Sequence, residues 1–114
     1  MSASPPWRQI VIDQLRMLAS EQEQLAYEQS VPHVDITAEL ICGWFDDSYH
    51  PEDAVFCSNF AAPELAALSE FDAAFGERMK RLPKSNGTVR CWLASPIWQE
   101  VMHAASQTLK RVAA

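Results

Sequence analysis

Two places in the chain set a carboxylate and an imidazole three residues apart, Asp47-x-x-His50 and Glu100-x-x-His103. On a helix that spacing puts both side chains on one face, and Glu-x-x-His is how carboxylate-bridged di-iron bundles hold their metals. Such a centre needs two motifs on regular helices and two further inward-facing glutamates. Here Asp47-x-x-His50 runs toward Pro51, and Glu100 lies off the stripe that Trp98, Val101, Ala105 and Leu109 define. A metal-binding helical-bundle enzyme using Asp47, His50, Glu100 and His103 is therefore the rival reading. The leading expectation is no metal and no cofactor.

Other chemistries leave weaker traces. Nucleophilic catalysis needs a Ser or Cys beside an oriented His, but there is no G-x-S-x-G turn. Cys42, Cys57 and Cys91 are odd in number with no C-x-x-C pair, so they read as buried thiols rather than as a disulfide framework or zinc site. His33 and His103 read as partly buried residues near helix ends. Gly43, Gly76 and Gly87 form no phosphate-binding loop. Phosphate neutralisation dominates nucleic-acid affinity, and the one basic run, Arg78 to Arg90, is short and follows a strongly acidic body. These observations point away from an enzyme and from a nucleic-acid binder.

The stretch "WFDDSYHPED", Trp44 to Asp53, sets two large aromatics against four carboxylates and a histidine. It lies in a segment from Met17 to Glu77 that holds thirteen of the fifteen acids and no Lys or Arg. Net charge is −6, but that segment alone carries −13. Such segregation is an argument about association. Carboxylates attract a basic partner over distance and pair with Arg forks at contact. Glu39, Asp46, Asp47, Glu52 and Asp53 are thus the candidate partner-binding acids, with Tyr49 as an aromatic anchor and His50 beside it. Trp44 and Phe45 are expected to face inward.

The elements that must position these residues are read from apolar spacing. At 114 residues and 48% hydrophobic content the chain is one domain with a core of its own. Trp7, Val11, Leu15, Leu18 and Leu25 predict a first helix, begun by Ser4-Pro5-Pro6 and running to about Gln29. Gln22 in that stripe suggests partial exposure near that end. Asp35 caps a second helix with Ile36, Leu40, Ile41, Trp44 and Phe45 on its apolar stripe, fading at Asp47–Tyr49. An ordered loop follows, pinned by Val55, Phe56 and Phe60. Pro63-Glu64 opens a third helix ending near Pro83 and the "KSNG" turn, and Ser95-Pro96 opens a fourth that reaches Val112. Residues 88–94 suit a helical turn or a strand equally. Trp7, Trp44 and Trp98 belong to apolar faces, whereas Trp92 is open to surface exposure. The fold class is all-α, a single-domain four-helix arrangement.

No apolar run approaches the ~18 residues of a membrane span, and "MSASPPWRQI" lacks a basic region followed by an apolar one. The expected location is the cytoplasm, with no membrane partner. The protein is expected to be a monomer or a homodimer; a homodimeric structural protein without a ligand is a further alternative.

The pattern Glu39-Leu40-Ile41, Trp44-Phe45-Asp46-Asp47 and Tyr49-His50-Pro51, then Phe60, Pro63-Glu64-Leu65, Leu68, Phe71, Trp92-Leu93 and Pro96-x-Trp98, resembles a group of small bacterial proteins. Some of that kind resemble immunity proteins of contact-dependent or polymorphic toxin systems. The resemblance spans roughly residues 35–112 and contains no catalytic signature. It implies a small binder that blocks a basic toxin domain by occlusion.

Overall fold

In the computed structural model, which describes residues 5–84 and 88–113, Ser20 divides the expected long first helix in two. Helix α1 spans Trp7–Ala19 and α2 spans Glu21–Ser30. Ser20 has extended backbone and its Oγ accepts the Glu23 amide at 3.1 Å. Ser20-x-x-Glu23 is a helix-start signature lying inside a stripe that otherwise reads as continuous. Gln22 is exposed, as its place in the stripe predicts. Ser4 and residues 85–87 of the expected turn lie outside the described residues.

Asp35 caps α3, Ile36–Cys42, accepting the Ala38 amide at 3.0 Å. The helix then widens into a six-residue π-helical segment, Gly43–Ser48, in which the Tyr49 amide reaches back five residues to the Trp44 carbonyl at 3.1 Å. Gly43 fits where this segment approaches α1. A Cβ there would stand 2.7 Å from Gln14 Nε2, displacing the amide that donates to the Leu40 carbonyl at 3.4 Å.

The following loop contains a short helix, α4, Ala54–Cys57. Phe56 and Phe60 pin it by burial, but Val55 does not, being 45% exposed. Helix α5 is Ala62–Met79, and Glu64 in its first turn accepts the Ala61 amide at 2.8 Å. Residues 90–93 form a helical turn, α6, Arg90–Leu93, settling the ambiguous stretch as helix. Trp92 is buried in it, only 4% exposed, with its indole donating to the Pro83 carbonyl at 3.1 Å. Helix α7 is Pro96–Val112, and Ser95 accepts the Ile97 amide at its start.

The all-α class holds, but the described residues form seven α-helices and a π-helical segment rather than four helices. The expected first helix is α1 and α2, the second is α3 with its π-helical extension, the third is α5 and the fourth is α7. Helix α7 packs against both α1 and α5, and the π-helical segment packs on α1. Their buried faces, Val11, Leu15 and Leu18, Leu68, Phe71 and Phe75, and Trp98, Val101 and Ala105, make one core. No described helix is long and apolar enough to cross a membrane.

Arg8 ties the chain ends to that frame. Its guanidinium meets Glu64 through two bonds of 2.8 and 2.6 Å and also donates to the carbonyls of Val112 and Asn59. Such bidentate pairing is the stronger geometry for an Arg–carboxylate contact.

Candidate functional site

The α3 helix and its π-helical extension carry Trp44 into the core and leave Asp46 and Asp47 outside. Trp44 is fully buried, and Phe45, half-buried, packs its ring 5.0 Å from Phe75. The Trp44 indole donates to Asp72 Oδ1 on α5 at 3.1 Å. This bond fixes where the segment ends relative to α5. Glu39, Asp46 and Asp47 are all exposed and all act on the Cys42 thiol. Partial desolvation first, then a hydrogen bond to Asp46 and the charges of Asp46, Glu39 and Asp47, push that thiol above its ordinary value. All three carboxylates are thus near enough for their charge to act on the same thiol.

Tyr49 and His50 are only half-exposed, because their rings also pack inward. Tyr49 stacks on Trp44 with centroids 5.0 Å apart and planes 12° from parallel. Desolvation, followed by the charge of Asp72, pushes its phenol up. His50 lies 4.7 Å from the Trp7 ring, and its Nε2 is 3.2 Å from the Asp47 carbonyl. Asp53 is exposed but also caps α4, its Oδ1 accepting the amides of Val55 and Phe56. Glu52 is exposed. Together Phe45, Tyr49, His50, Pro51, Glu52, Asp53 and Asp72 line an open groove of about 530 Å³.

Of the expected contact residues, the structure gathers Tyr49, His50, Glu52 and Asp53 at this groove and holds Glu39, Asp46 and Asp47 near Cys42. Asp72 belongs to the site, although it is absent from the sequence-derived set. In sequence it is a lone acid between Phe71 and Ala73, with nothing local to mark it as facing the Tyr49–Asp53 loop.

The acidic segment does not act as one undivided field. Glu64, Glu70 and Glu77 are ion-paired with Arg8, Arg111 and Arg81. Glu28 accepts the Val89 amide at 2.7 Å, and Asp35 is spent on its cap. Among the described residues, no Lys or Arg forms an ion pair with Glu39, Asp46, Asp47, Glu52, Asp53 or Asp72. Glu21 and Glu23 on α2 are exposed and likewise form no ion pair, so the unneutralised charge runs from α2 along α3 and its extension to the groove.

The cysteines differ from expectation, since Cys42 is exposed and Cys57 and Cys91 are half-buried. Cys57 and Cys91 sit beside helix ends, donating to the Pro51 and Thr88 carbonyls. His33 and His103 are exposed rather than partly buried. Glu100 points to Arg78, at 3.0 Å, and no group of three or more metal-ligating side chains occurs among the described residues. Comparison of the chain with protein-family models, curated proteins and solved structures finds no match.

Proposed function

We propose that the protein is a small cytoplasmic binder that sequesters a basic protein partner, in the manner of an immunity protein neutralising a bacterial toxin domain. The carrying observation is the set of carboxylates Glu39, Asp46, Asp47, Glu52 and Asp53, which meet no Lys or Arg in an ion pair among the described residues. Five acids, Asp13, Glu64, Glu70, Glu77 and Glu100, are paired with arginines, and the five contact carboxylates are not among them. A basic groove evolved for a polyanion would be attracted to it and covered by it. The π-helical segment also favours this end of the molecule, because such segments occur frequently at functional sites.

The mechanism is occlusion. Long-range attraction raises the encounter rate, and short-range pairing with Arg and Lys holds the complex. Screening acts over about 8–10 Å at physiological ionic strength, so association should slow as salt rises. The test is capture from the native cell lysate, with the retained protein identified and its charge determined. Wild type retains a basic protein at low salt, and Asp46→Lys with Asp47→Lys releases it while the circular dichroism spectrum stays unchanged. Undiminished capture by the folded double variant would remove the basis for this reading.

A further inference from the structure

We infer that the groove between the Tyr49–Asp53 loop and α5 is the seat of a single arginine side chain of the partner, taken between an aromatic wall and a ring of carboxylates. This rests on the proposed binding of a basic protein and specifies how part of that partner is held.

Size comes first. Small-molecule pockets begin at about 300 Å³, and the groove, at about 530 Å³, holds a long side chain with some of its flanking backbone. It is too open to enclose a ligand on all sides, which suits a residue delivered on a polypeptide.

Its walls favour a planar cation. Phe45 and Tyr49 line it, and both rings are fixed from behind: Phe45 against Phe75, and Tyr49 stacked on Trp44. Aromatic rings held in place attract a cation over their faces within about 6 Å of the centroid. Opposite charge comes from Asp72, Glu52 and Asp53, which arrive from α5 and from the loop. Asp72 and Asp53 each use Oδ1 for an internal bond, to the Trp44 indole and to the α4 amides. Those bonds orient the carboxylates before a ligand arrives, and a carboxylate has about four acceptor sites in all. Guanidinium matches both walls at once, stacking its plane on a ring while its N–H groups meet carboxylates. Ammonium is a compact point charge and uses only the second wall fully.

The test uses full-length protein and capped tripeptides, acetyl-Gly-Arg-Gly-amide and its lysine counterpart, followed by NMR chemical-shift titration. The arginine peptide shifts Phe45, Tyr49, Glu52 and Asp72 and binds at least about threefold tighter than the lysine peptide. Glu52→Gln with Asp72→Asn weakens it by roughly tenfold; asparagine keeps an acceptor for the Trp44 indole, and retained far-ultraviolet dichroism shows that the variant folds. Shifts spread over Glu21, Glu23 and Glu39 as much as over the groove would overturn the inference, as would equal binding of the two peptides. Methylguanidinium binding as tightly as the peptide would also overturn it, making the groove a small-cation site. If the double variant still captures the basic protein while Asp46→Lys with Asp47→Lys does not, the acidic-surface reading stands and the arginine seat falls. If no basic protein is captured yet the arginine peptide still fills the groove, the seat stands and the toxin-binding reading falls.

Discussion

The indole N–H of Trp98 on α7 donates to the side-chain oxygen of Gln24 on α2 at 3.1 Å, and both side chains are fully buried. The amide nitrogen of Gln24 donates in turn to the carbonyls of Met17 and Leu18 at the end of α1. One polar side chain therefore closes the α1 terminus and anchors the one tryptophan of α7. It allows α1 and α2 to meet at an angle without leaving buried carbonyls bare.

Gln24→Leu keeps the volume but leaves two carbonyls and an indole N–H without this partner. The Met17 carbonyl still accepts the Ser20 amide, which leaves the Leu18 carbonyl and the Trp98 indole unsatisfied; at about 1–3 kcal/mol for each such buried group, a total loss of roughly 2–6 kcal/mol is expected, read from the urea midpoint at unchanged slope. Gln24→Glu keeps the acceptor for Trp98 but turns a charge toward two carbonyls. It should be worst at neutral pH and partly recover as acid protonates it. A variant as stable as wild type in both cases would contradict this role.

Gln24 also marks where sequence reading stops. The stripe Val11, Leu15, Leu18 gives the buried face of α1, and Ser95-Pro96 and Asp35 give helix starts, because those signals are local. The bend at Ser20 was legible in Ser20-x-x-Glu23, yet helical spacing on both sides masked it. Gln24 lies outside the apolar stripe, and only tertiary contact supplies the partners that bury it. Trp44 inward with Asp46 and Asp47 outward follows from adjacent positions on one helix. Asp72 does not, since only the fold brings α5 to the Trp44 indole across 28 residues.

Stability in acid should report the Arg8–Glu64 pair. The hydrogen bond from Arg8 holds the Glu64 carboxyl at about 2, down from 4.5. A folded-state value below the unfolded one means that the contribution is complete above about pH 4.5 and is lost as pH falls toward 2. Arg8 is 38% exposed, so solvent screening reduces the contribution to on the order of 1–2 kcal/mol. Glu64→Gln should lower neutral-pH stability by that amount and flatten the pH dependence between those values. An unchanged acid slope in the variant would show that other carboxyls carry it.

Tyr49 should ionise above the ordinary phenol value of 10.0, because it is desolvated and faces Asp72. The folded form then holds its proton more tightly than the unfolded form, so stability falls as pH rises past 10. Ultraviolet titration of the phenolate reads the shift directly. Asp72→Asn removes the second cause and should move the Tyr49 transition toward lower pH, leaving the first cause in place. No movement would place Asp72 too far away to act on the groove.

Cys42 offers a local probe of the acidic surface. Its thiol is exposed, yet desolvation, a hydrogen bond to Asp46 and the charges of Asp46, Glu39 and Asp47 push it above its ordinary value. Thiolate is the reacting species, and a dianionic aromatic disulfide reagent must also approach against the same three charges. In a Cys57→Ser, Cys91→Ser background, modification near pH 8 should be slow and should accelerate with added salt as screening grows. A neutral dipyridyl disulfide escapes the repulsion and should show a smaller salt effect. Asp46→Lys with Asp47→Lys reverses the field, lowering the thiol's ionisation point and drawing the anionic reagent in, for a gain of roughly tenfold or more. A rate indifferent both to salt and to charge reversal would mean that the three carboxylates do not converge around Cys42. A basic partner would then have no concentrated charge at this end of the molecule to find.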